Sequence, residues 1–152
     1  MRVPRHTRRQ SRGIVSVEFA IMGLVLLTLM LAVIEFGRLL YTFATLSEGT
    51  RRAARLAAVC PIGSGAIASS AAFMSLPNFT SSNVQVTYLD ASGTATAVFS
   101  SIAYVRVQIT GYSIPLAIPV INPTVTSPSF AVTLPRESLG YMPTGAGSYT
   151  CP

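Results

Sequence analysis

The chain has little of what an enzyme needs. It holds one histidine, His6, two cysteines and five acidic residues. His6 lies among N-terminal arginines, Asp90 in a turn sequence, and Glu137 just after a strand sequence, so no base is placed beside the plentiful serines and threonines. No Gly-x-Ser-x-Gly, phosphate loop or metal-ligand spacing occurs. These absences argue against an enzyme and imply no cofactor, no metal and no small-molecule substrate.

Two further absences shape the first third of the chain. There is no proline from Ile14 to Val59, so nothing interrupts a helix there, and Ile14 to Ile34 contains a single ionisable side chain, Glu18. As a helix with a rise of ~1.5 Å per residue that stretch reaches about 31 Å, the thickness of a bilayer hydrocarbon core. It reads as one membrane span. The formal charge of +6 is unevenly placed: Arg2, Arg5, Arg8, Arg9 and Arg12 all precede Ile14, and beyond Gly13 six arginines face five acids. An excess confined to a leader argues against a nucleic-acid surface and for an N-terminus held in the cytoplasm. Arg51, Arg52 and Arg55, beyond the span, weaken that asymmetry without reversing it.

What is present divides by period. Residues 1–13 read as a leader without a fold of its own, and residues 14–60 as a transmembrane helix continuing into an extramembrane one. In the continuation, Glu48 stands three and four residues before Arg51 and Arg52, which marks helix. Gly49, Ala53 and Ala57 form a small-residue stripe, either for another protein or for the chain's own sheet. Pro61 ends the helix. Residues 61–83 are a linker with a short helix expected in "AIASSAAFM", and residues 84–137 a small antiparallel β domain. There "NVQVTYLD", "AYVRVQITGY" and "SFAVTLPR" alternate as half-buried strands, "TATAVFS" reads as a weaker strand, and "SIPLAIPVINPTVTSP" reads as a loop or edge excursion because of its prolines. Residues 138–152 are a tail. The fold class is α+β: a long N-terminal helix, its extramembrane half packed on a small antiparallel sheet.

Cys60 and Cys151 both lie beyond the span, where disulfides persist. A bond between them would tie the tail to the end of the helix, and closing a ring of ~90 residues is worth about 4 to 5 kcal/mol in the loop-entropy account. Two free thiols are the alternative.

Glu18 needs a reason. A carboxylate in a span costs several kcal/mol without a partner. It either snorkels to the headgroups or is paired. A cut after Gly13 would create an α-amine on Ile14, about one helical turn from Glu18, and remove the leader arginines in the same step. That amine could satisfy its own carboxylate or a neighbouring subunit's.

"RGIVSVEF" ahead of an apolar helix resembles the processing site of type IV prepilins, and its Glu-Phe ending is similar to that of the Tad pilus subfamily. "IEFGRLLYTFATLSEGTRRAARLAA" resembles the second half of the TadE-like domain. The resemblance covers Arg12 to about Ala58. It implies a minor pilin or pseudopilin of the tight-adherence system. The short, β-rich extramembrane part departs from larger Tad proteins by showing no sign of a von Willebrand-type domain, which favours TadE over TadG. Gly13 would be the last leader residue, Ile14 the mature N-terminus, and Glu18 with Phe19 the assembly residues. The partners implied are a prepilin peptidase, other Tad pilins or pseudopilins, and the inner membrane, with the C-terminal domain periplasmic or extracellular. Two other readings stand beside it: a single-pass periplasmic binding protein outside any filament, and a secreted protein cut by signal peptidase after the "TFA" of Thr42 to Ala44.

Overall fold

The computed structural model describes residues 11–69, 76–118, 123–141 and 151. One long helix, α1 (Ser11–Val59), precedes five strands: β1 (Val84–Leu89), β2 (Tyr104–Ile109), β3 (Ser113–Pro115), β4 (Thr124–Thr126) and β5 (Phe130–Pro135). This is the expected α+β class. The chain divides into two compact units, Met1–Arg38 and Leu39–Pro152, and α1 contributes to both.

In the first unit the side chains of α1 are exposed almost throughout, from Ile14 at 69% to Phe36 at 69%. Length and composition make α1 the one helix among the described residues able to cross a membrane. Its apolar run closes with Glu35 and Arg38, whose carboxylate and guanidinium pair at 2.8 Å. One turn apart, these two charges neutralise each other where the sequence leaves the apolar register.

The second unit has the core. Strands β1, β2 and β5 form an antiparallel sheet with β2 in the centre. Val105, Val107 and Ile109 of β2 are fully buried, and each such side chain contributes about 1.5 to 3 kcal/mol on leaving water. They share one cluster with Leu46, Ala53, Ala54 and Ala57 of α1 and with Ile102, Tyr112 and Ile114. Rings from helix and sheet meet at Phe43 and Phe130, centroids 6.1 Å apart. Tyr112 is buried with its hydroxyl donating to the Pro77 carbonyl at 2.8 Å, and its ring packs on Phe79. That bond pins the 76–80 turn to the core.

The end of α1 is closed by a strap from the far end of the chain. The last carbonyls of a helix have no partner within it. Here Ala58 O accepts from the backbone N–H groups of Glu137 and Leu139, and Val59 O from that of Gly140 at 2.7 Å and from the Ser138 hydroxyl. Gly140 has φ +77°, and a Cβ on it would lie 2.6 Å from Pro61 Cγ, so both its backbone and its neighbour require glycine. Beside this strap Cys60 and Cys151 are joined by a disulfide, with Cα atoms 5.7 Å apart.

Several expectations need correction. Ser11 to Gly13 of the expected leader are helical. "TATAVFS" is not a strand: only Ala95 bridges Leu89, and a 3-10 turn follows at Phe99–Ser101. The Thr96 hydroxyl accepts from Val98 N–H and contacts Ser101 Oγ, local bonds that compete with a ladder. The proline-rich section contains a second, two-stranded sheet, β3 with β4, with Pro115 ending β3 and Pro123 just before β4. In "AIASSAAFM" residues 66–69 form turns, and residues 70–75 lie outside the described residues, as do residues 1–10 and 142–150.

The turn after β1 is built by one carboxylate. Asp90 accepts from the backbone N–H of Ser92 and of Thr94 and from the Ser92 hydroxyl. Those bonds hold its pKa below the ordinary aspartate value, led by the Ser92 side chain. Gly93, at φ +84°, supplies the left-handed residue that the turn requires. Asp90 thus has a structural task.

Candidate functional site

Gly13, Ile14, Glu18 and Phe19 lie together in the opening turns of α1. All are exposed, Phe19 at 79%. Ile14 and Glu18 are four residues apart in continuous helix, on one face and one turn from each other. Around the carboxylate stand Val15, Val17, Phe19, Ile21 and Met22, all exposed and apolar. Among the described residues nothing forms a hydrogen bond or ion pair with Glu18. Glu35, in the same unit, is bonded to Arg38 through both Nε and a terminal nitrogen. Of the two acids of α1 in the first unit, Glu35 is therefore neutralised within the described residues and Glu18 is not.

The Gly13–Ile14 peptide sits inside helix. A Cβ placed on Gly13 would meet nothing within 4 Å. Glycine is thus not demanded there by packing or by backbone conformation. An alanine would fit the helix and would favour it by about 1 kcal/mol.

The stripe of Gly49, Ala53 and Ala57 has a different fate. All three are buried, together with Ala54 and Ala58, within the unit Leu39–Pro152. Of the two readings open for this stripe, packing on the chain's own fold is the one realised. Cys60 and Cys151 are bonded at the C-terminal end of the same helix. The site residues fall into three separate groups: the opening turns of α1, its buried later half, and its closed end.

Sequence reasoning missed two features of this helix. The Glu35–Arg38 pair was visible as acid and arginine at i, i+3. The strap at residues 137–140 had a weaker signal, a glycine that follows no helix or hairpin of its own.

The model of the TadE-like protein family matches residues 13–55, which begin at Gly13 and contain Glu18, the Glu35–Arg38 pair and most of the stripe. That match is consistent with a TadE-like pilin and stops short of the sheet. Among curated proteins and among solved structures no match to the chain is found.

Proposed function

We propose that the chain is a minor pilin or pseudopilin of a Tad-type pilus, anchored in the inner membrane by α1, cut after Gly13 by a prepilin peptidase, and assembled through Glu18. The observation that carries this reading is the family match over a helix whose apolar surface is exposed and whose one acid before Glu35 has no partner in the described chain. In hydrocarbon that acid is costly, and the α-amine that cleavage would release one turn away is the cation that relieves it. Processing also removes the leader arginines that hold the N-terminus in the cytoplasm. The peptidase draws the exposed residues around Gly13 into an extended strand at the membrane surface. Unit Leu39–Pro152 lies beyond the membrane, in the periplasm or outside the cell, where its disulfide is stable.

The test reads cleavage and assembly separately. Mass spectrometry of the mature chain is expected to find Ile14 as the first residue. Tagged Glu18→Gln protein is expected in the inner membrane at normal level and depleted at least ten-fold from sheared pili or the pilus-associated complex, with its N-terminus recorded. A start at Thr45 would identify a signal peptidase product instead. Full recovery of Glu18→Gln with the pilus would remove the pairing role from Glu18.

A further inference from the structure

The two edges of the main sheet are finished differently. Hydrogen bonding in an antiparallel ladder alternates, so each residue of a strand serves one neighbour or the other. Thr110 N–H donates to Asn83 O, one step beyond the Ile109–Val84 pair, which assigns Gln108 and Arg106 of β2 to β1. Val105, Val107 and Ile109 then serve β5, opposite Leu134, Val132 and Phe130. The Arg136 N–H bond to Ala103 O continues that parity. The backbone groups of Ala131 and Thr133, and the carbonyl of Pro135, therefore point away from β2 along the outer edge of β5. Pro135, which has no N–H, stands where that N–H would have pointed outward.

No partner among the described residues takes the outward groups of Ala131 and Thr133. The outer edge of β1 is covered at both ends: Tyr88 O accepts from Thr96 N–H, Leu89 bridges Ala95, and Val84 N–H donates to Ser81 O. Its middle residue, Val86, still directs its N–H and carbonyl outward. Folded proteins guard a bare edge with charges, bulges or a covering segment. Apart from Pro135, the edge of β5 has none of these among the described residues, and no Asp, Glu, Lys, Arg or His occurs from Val107 to Pro135. The inward side chains of β5, Phe130, Val132 and Leu134, are only half-buried, whereas their β2 neighbours are fully buried. A further strand would cover them.

We propose that the open edge of β5 receives the β1 edge of a second copy of this chain, so that successive copies extend one sheet by parallel strand addition. This rests on the pilin reading, which brings like-oriented copies together. Direction selects the pairing: β1 and β5 are both antiparallel to β2 and so run the same way. A copy displaced without reversal presents β1 to β5, whereas β5 against β5 requires one copy to be turned by 180°. Neither edge strand carries an acidic or basic side chain, so no like charges oppose the join. A heterologous contact of this kind propagates into an open array, as a filament needs, and a two-fold contact stops at a dimer.

Cross-linking in membranes and sheared pili tests it, using the full-length chain and a short bis-maleimide that reacts only with free thiols. Thr133→Cys lies on the outer face of β5, and Gln85→Cys and Thr87→Cys lie on the outer face of β1. Chains carrying Thr133→Cys with either β1 cysteine are expected to give a ladder of multimers. Co-expressed single variants are expected to give dimers only, and each single variant alone none. Adding Ala131→Pro, which removes an outward N–H and no ladder bond, is expected to reduce the ladder at least ten-fold at an unchanged thermal midpoint. Dimers from Thr133→Cys alone would show β5 against β5 and overturn the proposal. So would the lack of a ladder with both β1 cysteines, or a ladder that survives Ala131→Pro. The same samples report the N-terminus and the pilus fraction: mature, pilus-associated protein without a ladder defeats the strand pairing alone. Uncut protein that never reaches the pilus fraction defeats the pilin reading, and the ladder in membranes still decides the strand pairing.

Discussion

Two stretches of a single helix, Ile14 to Ile34 and Thr42 to Val59, follow opposite rules. The first exposes its large apolar residues, Leu24 at 68% and Val33 at 72%, while the second buries small ones, with Ala53, Ala54 and Ala57 at 0%. Hydrophobicity alone would have buried the first and left the second at the surface. What separates them is the surface each helix face must meet. Side chains suited to lipid are large and apolar all round the axis, whereas a helix laid on its own sheet keeps small residues at the contact and arginines opposite, here Arg51, Arg52 and Arg55, all exposed.

The difference is broken most severely at the closed end of the helix. Replacing Cys60 and Cys151 by serine frees a ring spanning 91 residues. It should lower the stability of the unit Leu39–Pro152 by about 4 to 5 kcal/mol, with insertion of the apolar half unchanged. Thermal unfolding of the detergent-solubilised chain, with and without reductant, measures the first, and carbonate extraction from membranes the second. A variant that keeps the wild-type midpoint would show that the strap closes the unit without its disulfide.

Much of this comparison could be read from the residues themselves. The span, its lone acid and the helix end before Pro61 followed from the absence of proline and charge, and the three long strands followed from alternation at residues 84–89, 104–109 and 130–135. Alternation failed at "TATAVFS", where Thr96 and Ser101 turn their hydroxyls to local partners. The strap escaped because its bonds join Ala58 and Val59 to residues about 80 positions away through backbone groups, which every residue type carries. Whether the alanine stripe faced the chain's own sheet or another protein depended on that same long-range closure. Glu18 was legible as an anomaly of charge in an apolar run, and its want of a partner among the described residues is a matter of three dimensions.

The strap itself offers the next test. Gly140→Ala places a side chain at φ +77° and against Pro61, so about 3 kcal/mol is expected from backbone strain together with the displaced ring. The same substitution at Gly23, helical and with open space around it, should leave the midpoint of the unit Leu39–Pro152 where it is. Chemical denaturation followed by Tyr fluorescence reads both. Equal midpoints for the two variants would mean that Gly140 tolerates a side chain and that the end of α1 is held by other contacts.

The smallest effect tests the rule of size directly, by exchanging side chains between the two halves. Ala53 is fully buried in the core cluster, so Ala53→Leu inserts three carbons into a space already filled and should destabilise the unit by about 2 kcal/mol, although leucine is far more apolar. Leu24→Ala makes the opposite change on an exposed face, leaves no cavity, and should not move the unfolding midpoint at all. Its effect belongs to the membrane: about 2 kcal/mol of apolar transfer is lost, which reads as weaker retention in membrane extraction. If Ala53→Leu were neutral, the later half of the helix would have room to spare. Its alanines would then owe their burial to something other than a close approach between helix and sheet.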